Sequence, residues 1–337
     1  MLTAGRRLLA TAMFATVAAL VAGCWRNEEP PAASKAESVT VALPLALHSA
    51  LVLLAVEKRY FDEQGLKVIV KPLASGAAAS DALARGQADI ALFSEVVFVQ
   101  SALAKKNVRI LATVYRSRAN TSLIARKDRG IANPRDLAGK RIGIVANTGA
   151  EYFADSYLEM QGIKSGQVNR VTLAVGEAES ALLNGGVDAV ALFHPYSSRL
   201  IATLGGQAVV FGDPAVYQMQ IHLVAPPEFA GSRPEVARKF ILALNRTLTF
   251  LRENPKEAGQ LTMKAAKEDP ALFAKVWNAG DFMLELNQSL LSVLEDEARW
   301  ALGKAGRAPA TLPNFLEFID ARPLARVEPD AVSILLP

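Results

Sequence analysis

The chain has 337 residues, 51% of them hydrophobic and 21% charged; that suits about two domains of roughly 150 residues each and excludes a disordered or fibrous chain. Its 37 basic and 33 acidic residues leave a net charge of only +4, spread along the sequence, so composition gives no support to nucleic-acid binding. One cysteine excludes an internal disulfide framework, a zinc–cysteine site and a Cys-x-x-Cys redox centre.

Arg6 and Arg7 precede an apolar run from Leu8 to Val21. A basic start, a short apolar stretch and a small-residue end make an export signal, and the run is shorter than the about 20 residues of a membrane-spanning helix. It ends Val21-Ala22-Gly23-Cys24, which resembles a bacterial lipoprotein box. Residues 1–23 are then a signal peptide, and Cys24 is lipidated and becomes the new N-terminus. The other readings are a buried structural cysteine and, from Arg6-Arg7, twin-arginine export. Residues 26–38 are polar, proline-containing and unpatterned, so 24–38 reads as a lipidated tether.

Val39-Thr-Val-Ala-Leu43 is a β-branched strand that Pro44 ends. Residues 48–60 carry helical periodicity into the core pair Tyr60-Phe61, and Gly65 breaks the helix. Leu66 to Pro72 alternates as a strand. Ser75-Gly76 opens a small-residue helix ending at Gly86; strand 89–93, helix 94–105 and strand 108–115 follow. Such alternation gives a mostly parallel sheet with helices on both faces. A second series has strands at 141–145, 171–173, 188–192 and 207–211, with helices at 150–161, 177–185 and 196–204 between them. Two apolar segments, Ser122 to Ala125 and Gln220 to Ala225, are placed to link the series. Residues 232–306 read as helical, with breaks near Asn254-Pro255, Asp269-Pro270 and Asn287.

The segment Ala55-Val-Glu-Lys-Arg-Tyr-Phe-Asp-Glu-Gln-Gly-Leu-Lys-Val68 is an amphipathic helix closed by an aromatic pair and a glycine turn that feeds a strand. It resembles a signature of the solute-binding proteins of ABC importers for nitrate, sulfonates, taurine and thiamine precursors. Four further segments fit in order: Ala82 to Ala91, Asp136 to Ile144, Ala181 to Val190 followed by Phe193-His-Pro-Tyr196, and Asp320 to Val327. Together they span about residues 39–335. The resemblance implies an α/β, two-lobed periplasmic-binding-protein fold of type II. Each lobe is a mostly parallel sheet flanked by helices, and two crossover strands join them. Lobe 1 is 39–121 plus 223–337, lobe 2 is 127–217, and the hinge crossovers are 122–126 and 218–222.

In open α/β sheets ligands sit beyond the carboxyl ends of strands, near helix N-termini whose amides are unpaired. The candidate ligand-binding residues are therefore those at predicted strand ends. Pro44, Leu45 and His48 follow the first strand, and Ser75 and Gly76 the second. Gly76 leaves room for backbone to approach a ligand, and Ser75 also suits a helix N-cap. Phe93, Ser94 and Glu95 follow the third strand; the carboxylate of Glu95 either accepts from a ligand N–H or meets the helix dipole. Tyr115 and Arg116 end the fourth, with Arg116 offering a fork for a sulfonate or carboxylate. In lobe 2, Asn147, Thr148 and Gly149 make the best anion cradle. Phe193 offers a stacking face and His194 a polar contact, and Gln218 lies near the return crossover.

The resemblance implies an extracytoplasmic substrate-binding component of an ABC importer, lipid-anchored through Cys24 on the periplasmic face of a bacterial membrane or on the cell surface. As a monomer it captures a small-molecule ligand by hinge closure and hands it to a membrane permease. It makes and breaks no bond, so it is not an enzyme and takes no cofactor. Arg116 and the helix N-termini favour an alkanesulfonate-like anion; Phe93, Tyr115 and Phe193 favour a flat heteroaromatic such as a pyrimidine. A sensor feeding a receptor is a second class. An enzyme on the same fold is a third. Fungal thiamine-pyrimidine synthases look similar but carry a cysteine-rich segment absent here, and porphobilinogen-polymerising enzymes need a cofactor-bearing cysteine in the mature chain. His48, His194 and His222 share no metal-ligand spacing and no accompanying carboxylate cluster, which argues against a metal site.

Overall fold

The computed structural model describes residues 36–306 and 311–335, and every element named below lies within Glu37–Pro337. The expected signal peptide, Cys24 and the tether as far as residue 35 lie outside the described residues. In chain order the strands are β1 (Glu37–Pro44), β2 (Leu66–Leu73), β3 (Ile90–Ser94), β4 (Arg109–Ser117), β5 (Thr121–Arg126), β6 (Arg141–Ile144), β7 (Asn169–Thr172), β8 (Ala189–Phe193), β9 (Ala208–Phe211), β10 (Met219–Ala225) and β11 (Gly280–Glu285). They form a six-stranded sheet, β11-β4-β10-β3-β1-β2, and a five-stranded sheet, β7-β6-β8-β5-β9. Burial follows position. The inner strands β3 and β10 are apolar and buried almost throughout, as strands covered on both faces must be. The edge strand β2 alternates between more and less exposed residues.

The helices are α1 (Ala50–Glu57), α2 (Tyr60–Glu63), α3 (Gly76–Ala84), α4 (Glu95–Leu103), α5 (Gly149–Met160), α6 (Val175–Leu183), α7 (Tyr196–Leu204), α8 (Pro227–Ser232), α9 (Pro234–Glu253), α10 (Pro255–Ala266), α11 (Pro270–Val276), α12 (Ser289–Lys304) and α13 (Arg322–Ala325). Proline opens α9, α10 and α11, where its missing N–H costs nothing. The buried stripe of α9 includes Phe240, Ala243, Leu244 and Thr247, spaced to face one side, and Phe240 packs on Phe61 with ring centroids 4.7 Å apart. Among the described residues no helix is long and apolar enough to cross a membrane.

The structure departs from the sequence reading in four places. The first strand starts at Glu37, inside the expected tether. The helix expected over 48–60 is broken into α1 and α2, with Arg59 in the left-handed region at φ 59°. The segments expected to cross between lobes, 122–126 and 218–222, lie largely within β5 and β10, paired in their sheets; their apolar side chains need that burial, and the chain instead crosses at 118–120 and 212–218. Each crossover strand enters antiparallel to its neighbours. So β1 to β4 run one way against β10 and β11, and β6 to β9 run against β5. Finally, β11 is a strand inside the stretch read as helical, and it covers the edge of β4.

Candidate functional site

A cavity of about 430 Å³ opens between the two sheets, beyond the carboxyl ends of β1, β2, β3 and β8. This is where the strand-end rule puts a ligand. Pro44, Leu45 and His48 line it from the first strand, Ser75 and Gly76 from the second, and Phe93 and Ser94 from the third. Thr148, Gly149, Phe193 and His194 line it from the side of the second sheet. The first turns of α3 and α5 and the Ser94 N-cap of α4 therefore all reach the wall, and first-turn amides have no partner within their helix.

Local contacts explain these placements. The Ser75 hydroxyl accepts from the Ala78 N–H at 3.2 Å and caps α3. The Thr148 hydroxyl donates to the Val145 carbonyl at 2.7 Å. A Cβ at Gly76 would come within 2.9 Å of the Phe93 Cβ, and one at Gly149 would overlap the Tyr217 hydroxyl. Both glycines thus let an aromatic side chain of the wall sit against a helix start.

Five expected residues lie off the wall, each for a visible reason. Tyr115 is buried beneath β11, its ring 5.0 Å from that of Phe282. Arg116 is ion-paired with Glu285 of β11. Both read as free strand ends from the sequence, in which β11 carries no strand signal of its own. Asn147 has φ 59° and donates its backbone N–H to Glu151 at 2.8 Å. Gln218 accepts from Arg118 at 3.3 Å. Glu95 sits behind the wall, accepting from the Tyr217 hydroxyl and, at 2.7 Å, from the Gln220 N–H.

Sequence reasoning missed Asn120, Thr121, Tyr196, Tyr217 and Met219, all on the wall. Asn120 and Tyr217 lie in the crossovers themselves and Thr121 and Met219 directly follow them, whereas the sequence reading puts both crossovers a few residues further along. The local signal was present: Tyr217 is the only aromatic residue in 212–218.

The wall is mainly apolar. Among the described residues lining it, Arg199 is the one guanidinium and there is no carboxylate; Arg199 lies over the Tyr196 ring at 4.8 Å. His48 is 8% exposed and its Nδ1 has no partner. Burial first, and the neighbouring His194 second, hold its ring at about 3, so it is neutral at pH 7. Behind Tyr217, Glu95 meets Glu297 of α12. Burial raises Glu95 to about 7 against the opposing hydrogen bonds from Tyr217 and Gln220. Burial, then the Glu95 charge, pushes Glu297 well above the usual carboxylate range. Like charges this close and this dry do not both ionise, so the pair keeps a proton.

Contacts between the two halves enclose the cavity. His194 Nε2 lies 2.5 Å from Glu268 Oε2, both side chains buried, and the other Glu268 oxygen accepts from the Leu47 N–H at 2.9 Å. The Tyr196 hydroxyl donates to the Ala74 carbonyl at 2.9 Å. On another side, Trp300 donates to Asp155 at 3.0 Å and Lys304 pairs with Glu151 at 2.6 Å. Among the described residues no group of three or more His, Cys, Asp or Glu is placed to hold a metal ion.

Residues 47–258 match the family described as NMT1/THI5 like. The chain belongs to this family. This NMT1/THI5-like chain is 22% identical over 246 residues to the putative aliphatic sulfonates-binding protein of Bacillus subtilis (strain 168), covering 72% of this chain and 74% of the relative. It is 26% identical over 212 residues to the taurine-binding periplasmic protein of Escherichia coli (strain K12), covering 61% and 64%. Its fold is similar to that of the alkanesulfonate-binding protein SsuA from Xanthomonas axonopodis pv. citri bound to MOPS, with TM-score 0.70, 17% identity, and 83% and 96% of the chains covered. The fold is thus that of the periplasmic binding proteins.

Proposed function

We propose that this chain is the substrate-binding component of an ABC importer, working outside the cytoplasm and taking a small organic solute with a sulfonate-like head. The observation that carries this reading is the cavity whose wall comes from both halves at the carboxyl ends of their strands. A ligand touching both halves favours the closed state by the difference in its affinity for closed and open forms. Helix first turns and the Ser94 hydroxyl receive the anionic head, and the apolar wall receives the body. Arg116, spent on Glu285, takes no part. The names of the sulfonate and taurine relatives support the same class of solute. Capture and release need no bond to be made or broken.

Thermal unfolding of the purified mature protein against alkanesulfonates, taurine, nitrate, pyrimidines, riboflavin and aromatic carboxylates tests it. Ligand at a hundred times its dissociation constant stabilises by about 2.7 kcal/mol, a rise of roughly 2 °C or more for a chain of this size. A rise with sulfonates supports the reading; no rise with any sulfonate overturns the proposed head group.

Lipid anchoring through Cys24 is part of the proposal and rests on the sequence around it. Cys24→Ala is expected to move the protein from the membrane to the soluble fraction on cell fractionation. Retention in the membrane fraction would sink the anchor.

A further inference from the structure

Among the described residues, the contacts that bridge the two halves differ in what opening leaves behind. The Tyr196 hydroxyl, bonded to the Ala74 carbonyl, is exposed and passes to water. Asp155 and Glu151 lose Trp300 and Lys304, but Arg170 of their own half pairs with both carboxylates. Glu268 has no such reserve. Its side-chain partner is His194 of the other half, and its own half offers it the Leu47 N–H alone.

Both members of this pair are held in place before they meet. Glu268 follows α10, which packs on α1, and its Oε1 accepts from Leu47 at 2.9 Å. His194 follows β8. Its backbone N–H donates to the Asn120 carbonyl of the first crossover at 2.9 Å, and its Nδ1 lies 2.9 Å from the Ser198 hydroxyl. Nε2 is left facing Glu268 Oε2 at 2.5 Å, with the two side chains only 2% and 5% exposed. An Nε2–H can donate there whether the imidazole is neutral or cationic. The pair also stands between two spaces, the cargo cavity and a smaller pocket of about 290 Å³ beside Glu268.

We infer that His194 and Glu268 form a latch that holds a share of the cargo-free molecules closed, and that Glu268 makes closure conditional on His194. This rests on the binding-protein reading above and adds which residues set the open–closed balance. The bond joins protein to protein, so it acts with or without cargo. Cargo then meets a site already formed in part of the population, and its apparent affinity scales with that share. Removing one partner of a buried pair strands the other as an uncompensated buried charge. Without His194, the Glu268 carboxylate must reach water, and the halves part to admit it.

Distances between spin labels in the mature protein without cargo test the latch. Cys24→Ala removes the native thiol, and Lys67→Cys on β2 and Ala202→Cys on α7, both exposed, carry one label on each half. With the latch intact, the distances are expected to include a short, closed population. His194→Ala should shrink that population at least threefold. Glu268→Gln alone, which keeps an acceptor for Leu47 and carries no charge, should leave it within twofold. Adding Glu268→Gln to His194→Ala should restore it at least twofold, because no charge is then stranded; damage to the fold would not be repaired in this way. His194→Phe, a ring without a donor, should act as His194→Ala does and decides the matter if the alanine variant does not fold. No closed population with the latch intact, an unchanged one in His194→Ala, or no rescue by Glu268→Gln would each overturn the latch. None of these results touches the binding-protein reading, which stands or falls on the solute panel.

Discussion

Thr148→Arg is expected to lower cargo affinity more than 100-fold while the protein stays folded. Thr148 is 5% exposed, precedes α5 and lines the cavity. An arginine there projects into a mainly apolar space in which, among the described residues, no carboxylate lines the wall. Burying an unpaired cation costs several kcal/mol, so the guanidinium either fills the cavity or props the halves open; both outcomes exclude cargo. It also sets a positive charge at a helix N-terminus, which is unfavourable. Loss of the hydroxyl that bonds the Val145 carbonyl costs about 1 kcal/mol, as for a helix cap. For a chain of this size that is a fall of only a few degrees. Calorimetry with any solute that raises the melting temperature, alongside the melting curve itself, checks both halves of the expectation. Unchanged affinity would place the site elsewhere.

The strand-end rule put most of its candidates on the wall because it depends on features that are local in sequence. An apolar run such as Ile90-Ala-Leu-Phe93 announces its strand, and Ser94-Glu95 announces the helix that follows. The side chains between them must then stand at the cleft. The rule failed where pairing is non-local. β11 is six residues between helices, pairs with β4 more than 160 positions earlier in the chain and is mostly half-exposed. Its sequence, Gly-Asp-Phe-Met-Leu-Glu, has only three apolar residues in a row, too short a run to announce a strand between helices. Missing it left Tyr115 and Arg116 with apparently free strand ends, when one is under Phe282 and the other is paired with Glu285. The crossovers failed for a related reason. Apolar segments looked like linkers, yet the linkers are short and lie outside both sheets: Arg118-Ala-Asn120 on one side and 212–218 on the other. Glu95 is a subtler case. Its place at the start of a helix was legible; that a tyrosine from the return crossover and a glutamate from α12 would enclose it was not.

Raising pH from 6.5 to 8.5 is expected to lower the melting temperature by about 5 °C, and Glu297→Gln to remove most of that slope. Glu95, at about 7 in the folded protein, lies above its ordinary value of 4.5. Between those values the folded protein binds more protons than the unfolded chain, so stability falls as pH rises. Glu297, held well above the ordinary range, extends the fall past neutrality. His48 and His222 act with the opposite sign. Both are held at about 3, below the ordinary 6.5, chiefly by burial. The unfolded chain binds the extra protons there, so stability rises with pH across that window. The two effects offset between about 4.5 and 6.5, and the carboxyl pair dominates above. Tyr115 and Tyr152, pushed up to about 12, act only in strong alkali. One proton held by the folded state and lost by the unfolded one is worth about 1.4 kcal/mol per pH unit, or roughly 2–4 °C. Glutamine at 297 keeps the size and a donor for Glu95 but carries no proton to lose. Glu95 is then a carboxylate with donors from Tyr217, Gln220 and the new amide, and the variant should melt above the wild type at pH 8.5. Melting curves at half-unit steps decide it: a flat wild-type profile, or a Glu297→Gln profile parallel to the wild type, would rule out a shared proton behind Tyr217.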